Sequence, residues 1–185
     1  MKLKTFSMGG VHPEENKITA EVATVVAPLP QQAIFPLSQH IGAPAKPVVN
    51  RGDKVKVGTL IAEANGFVSA PIYSSVSGTV LKVDTAIDAT GYRKPAIYIN
   101  VEGDEWEESI DRSETLETLD KHPELTPEEI VNRIKVAGVT GMGGAGFPTF
   151  IKLCPPPTAK AECVILNGVE CEPYITSDYR LMMEH

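Results

Sequence analysis

Residues 52–64 read GDKVKVGTLIAEA, and residues 70–80 read APIYSSVSGTV. Each stretch alternates short β-branched and apolar runs with glycine, proline or serine, the punctuation of short strands joined by turns. Widening the window to 48–63 and 68–83 gives two halves with one turn-strand-turn rhythm, linked by Ala64-Asn65-Gly66-Phe67. Asn65-Gly66 is the dipeptide expected of a tight hairpin turn. The expectation is a compact β unit.

Two such halves resemble the barrel-sandwich hybrid of biotinyl and lipoyl domains. Those carriers present a lysine at the tip between the halves, because an amine must be acylated. Here the joining residues offer no amine, and Lys54 and Lys56 lie near the first turn instead. A swinging-arm role is therefore disfavoured, and a structural or docking use is expected.

Downstream, residues 102–124 hold ten acids (Glu102, Asp104, Glu105, Glu107, Glu108, Asp111, Glu114, Glu117, Asp120, Glu124) against Arg112 and Lys121. This one stretch carries −8, whereas the whole chain carries −7, so the remainder is close to neutral. It reads as a solvated linker, or alternatively as an acidic docking surface. Such acidity disfavours nucleic-acid binding, which depends on neutralising phosphates.

A helix is expected next. Thr126 suits the N-cap, Pro127 the first helical position and Glu129 the third, closing a capping box. Ile130, Val131 and Ile134 recur at helical spacing, and Gly138 is a natural stop. Then comes Gly141-Met142-Gly143-Gly144-Ala145-Gly146-Phe147-Pro148-Thr149-Phe150-Ile151-Lys152. Glycines let the backbone approach a ligand closely, unpaired N–H groups bind phosphate oxygens, and Lys152 adds a positive charge. A dinucleotide-binding fingerprint needs a strand before its glycines, and here a helix precedes them. Pro148 favours a short helix start with Phe150, Ile151 and Leu153 on its apolar face, ended by Pro155-Pro156-Pro157. Residues 162–167 then read as a buried-type strand, with Asn167 at its C-terminal end, and Ser177-Asp178 as a helix cap.

Gly141–Lys152 resembles the flavin-binding GxGGAGFPTxxK loop of the complex I flavoprotein subunit and its relatives. The run from Asn167 through Glu170, Cys171 and Glu172 to Met182, with Gly9-Gly10-Val11-His12-Pro13, resembles the RnfC family of Rnf electron-transport complexes. Complex I subunits carry an acidic residue where Val169 stands and lack the front half, so the RnfC family is the better match.

The resemblance implies FMN along Gly141, Gly143, Gly144, Ala145, Gly146, Phe147 and Lys152, with Asn167 and Glu170 lining the flavin. Glu172 is implied near the nicotinamide nucleotide, with Phe147 able to stack on it. The implied reaction is hydride transfer from NADH to FMN and single-electron steps into 4Fe–4S clusters. Those clusters are expected in a C-terminal part beyond these residues, none being expected within them. The implied partners are NADH and other Rnf subunits. The implied location is the cytoplasmic face of the inner membrane, held peripherally.

The fold class expected is α+β and multidomain: an all-β barrel-sandwich hybrid followed by the start of an α/β Rossmann-like flavin/NADH-binding domain. The expected boundaries are an N-terminal arm at 1–30, the barrel-sandwich hybrid at 31–103, an acidic linker at 104–125 and a partial FMN/NADH-binding domain at 126–185. The last domain needs more strands than 126–185 supply, so a fragment of a longer protein, inactive alone, is expected. Two alternatives stand beside this reading: a non-catalytic docking module of the complex, and an accessory subunit of a sodium-translocating NADH:quinone reductase.

The remaining signals are bland. No run of eighteen apolar residues exists to span a membrane, and Met1–Phe6 does not open a signal peptide. Cys154, Cys163 and Cys171 match no metal or cluster spacing and read as reduced thiols. His12 and His40, each without a nearby acid or nucleophile pattern, read as turn and loop residues.

Overall fold

The computed structural model describes residues 13–88, 90–113, 115, 118–156, 158–159 and 161–185. The Gly9–His12 motif thus lies outside the described residues. The chain divides into two compact units, Pro28–Glu162 and a smaller one drawn from Met1–Ala27 and Cys163–His185.

In the larger unit, strands β1 (Gln32–Pro36), β7 (Arg93–Val101), β6 (Gly78–Ile87) and β3 (Lys54–Val55) form an antiparallel sheet in that order. A second antiparallel sheet has the order β2 (Lys46–Pro47), β4 (Leu60–Glu63), β5 (Ile72–Tyr73). The two sequence halves interleave: β3 of the first pairs with β6 of the second, and β4 pairs with β5. One core lies between the sheets. Phe35, Val55, Val80, Ile97 and Ile99 come from the first sheet, and Ile61, Ala62 and Ile72 from the second. Along β7 the alternation puts Ile97 and Ile99 inward and Tyr98 and Asn100 outward, the period-two pattern of a sheet with one buried face. This is the expected barrel-sandwich hybrid.

The joining turn differs from its expectation. Residues 64–71 form a broad loop between β4 and β5, not a two-residue turn at Asn65-Gly66. The buried Ser69 hydroxyl is the cause: it accepts from the Asn65 N–H at 2.9 Å and donates to the Ala43 carbonyl at 3.0 Å. Local turn preference yields to these two fixed bonds.

The start of the acidic stretch is tied to the barrel. Val57 pairs with Trp106, its N–H donating to Glu105 and its carbonyl accepting from Glu107. The Glu107 carboxylate accepts from the Thr59 hydroxyl.

Helix α1 (Pro127–Val136) begins where the sequence places it, with the Thr126 hydroxyl accepting from the Glu129 N–H at 3.2 Å. Only half of the expected capping box forms. The Glu129 carboxylate turns along the helix to Arg133 Nε at 3.3 Å, an i,i+4 pair. Helix α2 (Thr149–Lys152) follows the glycine loop and buries Phe150, while Leu153 is exposed rather than on an apolar face.

In the smaller unit, helix α3 (Ser177–Glu184) is tied to the preceding N-terminal stretch. Arg180 Nη1 donates to the Ala20 carbonyl at 3.0 Å, and the Thr24 N–H donates to the Glu184 carboxylate at 2.9 Å. The Thr19 and Thr176 hydroxyls share a bond of 2.7 Å. Two expectations are corrected here. Residues 162–167 form no strand, and Val164, Ile165 and Leu166 are 78%, 86% and 91% exposed. A strand exists only with ladder partners, and among the described residues none lies beside this run. Ser177, expected to cap, lies inside α3, and the cap is supplied by Glu170.

Candidate functional site

The loop 141–147 is closed at its base. The Gly141 N–H donates to the Phe147 carbonyl at 2.9 Å, Thr140 bridges Pro148, and the Thr149 N–H donates to Val139 at 3.0 Å. Within that closure, no N–H from Met142 to Phe147 donates to another described residue. Met142, Gly143, Gly144 and Ala145 are exposed. A run of free amides at an exposed turn makes a concavity for an anion. Lys152 folds back to the base of the loop, its Nζ only 2.6 Å from where a side chain at Gly141 would begin. Among the described residues Lys152 has no acidic partner, so its charge is available to a ligand.

The loop rests on the barrel. The Ile41 N–H donates to the Ala145 carbonyl at 3.1 Å. Gly146, at φ +63°, presses so closely that a Cβ there would lie 2.8 Å from the Gln39 carbonyl oxygen and 3.0 Å from His40 Cα. Only glycine fits both the dihedral and the gap. His40 itself is buried, 6% exposed. Its Nε2 accepts from the Ala70 N–H at 3.1 Å, which leaves the proton on Nδ1, donated to the Ile41 carbonyl at 3.1 Å.

The flanking helices dock on the same side. The Tyr73 hydroxyl donates to the Val136 carbonyl at 2.6 Å, Gly138 packs on Pro71, and Phe67 meets Phe150 edge-on at 6.4 Å. Lys135 Nζ lies 5.2 Å from the Phe150 ring centre. The broad 64–71 loop, the place where a carrier would present its lysine, thus holds the flank of the glycine loop.

The sequence-expected residues fall into two sets. Gly141, Gly143, Gly144, Ala145, Gly146, Phe147 and Lys152 are brought together in the larger unit. Asn167, Glu170 and Glu172 belong to the smaller one. There, Asn167 Oδ1 accepts from the Val169 N–H at 3.0 Å. Glu170 accepts from the Tyr179 N–H at 3.0 Å and the Ser177 hydroxyl at 3.2 Å. The Tyr179 amide, foremost, holds the Glu170 carboxyl below the usual carboxylate range. Glu172 is exposed. His40, Ile41, Tyr73 and Phe67 were not singled out for this role by their sequence. A single histidine or tyrosine carries no period or spacing that would announce it, because its partners are distant in the chain.

Among the described residues, no cluster of His, Cys, Asp or Glu is gathered to hold a metal ion, and no helix is long and apolar enough to cross a membrane. The three cysteines are exposed and free.

Residues 134–185 match the family model of the Nuo51 FMN-binding domain. The chain is 46% identical over 185 residues to the C subunit of the proton-translocating ferredoxin:NAD(+) oxidoreductase complex of Clostridium ljungdahlii, covering 99% of this chain and 39% of that protein. It is 44% identical to the Na(+)-translocating counterpart of Acetobacterium woodii, covering 98% of this chain and 40% of that protein. With the C subunit of the ion-translocating oxidoreductase complex of Rhodobacter capsulatus the identity is 43%, over 98% of this chain and 35% of the other. The chain thus spans about two fifths of the length of these curated relatives. Residues 4–104 match the RnfC barrel sandwich hybrid domain, the fold built here by β1–β7, and the chain belongs to the RnfC family.

Proposed function

We propose that residues 139–152 form the phosphate-binding part of an FMN site in a subunit of an ion-translocating ferredoxin:NAD+ oxidoreductase. The observation that carries this reading is the run of unpaired amides from Met142 to Phe147, closed at its base by the Gly141–Phe147 bond with the Lys152 ammonium beside Gly141. The donor set fits a phosphate: several N–H groups, one cation and no carboxylate among the loop residues. The match of 134–185 to an FMN-binding domain supports the same assignment.

Bound there, FMN would supply hydride acceptance from NADH and onward one-electron release. The chain's own residues bind and orient. The amides of Gly143, Gly144, Ala145 and Gly146 take the phosphate, Lys152 balances its charge, and Phe147 offers an aromatic face. Asn167 shapes the turn before Val169, in the segment that the family resemblance assigns to the flavin. Glu170, engaged with the first turn of α3, fixes the course of 167–172 and leaves Glu172 for the nicotinamide nucleotide.

In this reading 126–185 is the beginning of the FMN/NADH-binding domain, 104–125 is the acidic connection to it, and 1–30 is an N-terminal arm. The onward 4Fe–4S clusters lie outside these residues, the other subunits of the complex are the partners, and the protein is held peripherally at the cytoplasmic face of the membrane.

The test is flavin content and reducibility of the purified full-length protein. The reading expects one FMN per chain, bleached by NADH under anaerobic conditions, and a marked loss of flavin in Lys152→Met. Full flavin content in Lys152→Met together with a loop-deleted variant would refute it and leave the docking-module alternative.

A further inference from the structure

We propose that His40 and Ile41, on the barrel, are positioning residues for the glycine loop, holding Ala145 and Gly146 so that the loop amides are set before a ligand arrives. The inference rests on the reading of 141–152 as an FMN phosphate loop. Bonds within the loop fix only its base: Gly141 to Phe147, and the Thr140–Pro148 bridge. Its apex is held from outside.

Three contacts converge there. Ile41 donates its N–H to the Ala145 carbonyl, Gly146 abuts the Gln39 carbonyl and His40 Cα, and the His40 side chain locks the segment that makes both contacts. Its Nε2 is anchored by the Ala70 amide, within the broad loop that also carries Phe67. The other side of the apex is open, since a side chain at Gly144 would meet nothing within 4 Å. One face of the loop is therefore clamped and the other left for a ligand. Six free amides on an unclamped loop would have to be ordered by the ligand itself, at a cost in affinity. The barrel, having no lysine to acylate at its joining loop, serves as the platform that holds the cofactor loop in shape.

The test uses the full-length protein with His40→Leu, His40→Gln and a core control, Ile99→Val, which touches neither the loop nor its clasp. Three quantities are read: the FMN Kd, Tm, and hydrogen exchange at the Ile41 amide in flavin-free protein. His40→Leu removes the acceptor facing Ala70. We expect its FMN Kd to rise roughly tenfold, equivalent to about 1.4 kcal/mol, with faster exchange at Ile41. His40→Gln, whose Oε1 can stand in for Nε2, recovers most of both. Ile99→Val lowers Tm and leaves both unchanged.

The inference is overturned when His40→Leu lowers Tm but matches Ile99→Val in FMN Kd and Ile41 exchange. Should wild-type protein bind no FMN, the flavin reading fails, and Ile41 exchange in flavin-free protein still decides the clasp either way. Should His40→Leu not fold, Gly146→Ala displaces the apex from the loop side without touching the buried imidazole. Faster Ile41 exchange in that variant supports the clasp, and unchanged exchange refutes it.

Discussion

Replacing Gly146 by alanine puts a methyl group where the chain has no room for one. Two costs arise. The first is the backbone, since a residue with a Cβ at φ +63° pays roughly 1 kcal/mol relative to glycine. The second is contact. The new Cβ would stand 2.8 Å from the Gln39 oxygen and 3.0 Å from His40 Cα, both backbone atoms with little freedom to yield. The loop must lift by a few tenths of an ångström, which stretches the 3.1 Å bond from Ile41 to Ala145. Losing that bond adds about 1 kcal/mol.

Gly91 provides the control. It sits at the exposed end of the β6–β7 hairpin with φ +82°, and a Cβ there meets nothing within 4 Å. Gly91→Ala therefore carries the backbone cost alone, so its expected loss is about 1 kcal/mol and that of Gly146→Ala about 2–3 kcal/mol. The assay is equilibrium urea unfolding followed by the fluorescence of Trp106, the one tryptophan, which pairs with Val57 of the barrel. Unchanged m-values make the midpoints comparable. A Gly146→Ala protein no less stable than Gly91→Ala would refute the contact between loop and barrel.

Three other perturbations follow from the same geometry. Lys152→Met removes the cation at the base of the loop and should weaken FMN roughly tenfold by fluorescence titration, with less dependence of the affinity on salt. Thr126→Ala removes the acceptor for the Glu129 amide, at about 1 kcal/mol by urea unfolding, whereas Thr126→Ser should recover most of it. The Glu184 carboxyl is held down to about 2, chiefly by the Thr24 amide and further by Arg180. A carboxyl depressed in the folded state contributes fully above the ordinary value of 4.5 and loses its contribution as pH falls toward about 2. Circular dichroism of α3 in the isolated chain should therefore decline across that window, and Glu184→Gln should begin with less helix and decline less, the remainder tracking Glu170.

Local signals were legible where the physics is local. Thr126, Pro127 and Gly138 mark helix α1 because capping and φ preferences act within one turn, and the glycines of 141–146 mark a loop for the same reason. Glu129 was misjudged in part: its partner is Arg133, one helical turn on, rather than the capping residue. Asn65-Gly66 suggested a tight turn, yet Ser69 bonding to Ala43 and Asn65 spreads the connection. That competing acceptor cannot be read from a dipeptide. The apolar pattern of 162–167 reads as a strand by composition, but composition does not supply the neighbouring strand on which ladder bonds depend, and the run forms none. His40 is the sharpest case. Everything that gives it a role, the Ala70 amide, the Ile41 carbonyl and the apex of the glycine loop, is brought to it by tertiary packing.

The most direct test of the central claim compares FMN with riboflavin, which differ by the phosphate alone, in titrations of the full-length protein. If the amides of 142–147 and Lys152 hold the phosphate, FMN should bind on the order of a hundredfold more tightly than riboflavin, and Lys152→Met should narrow that gap. Equal affinities for the two flavins, or a gap untouched by Lys152→Met, would contradict the account.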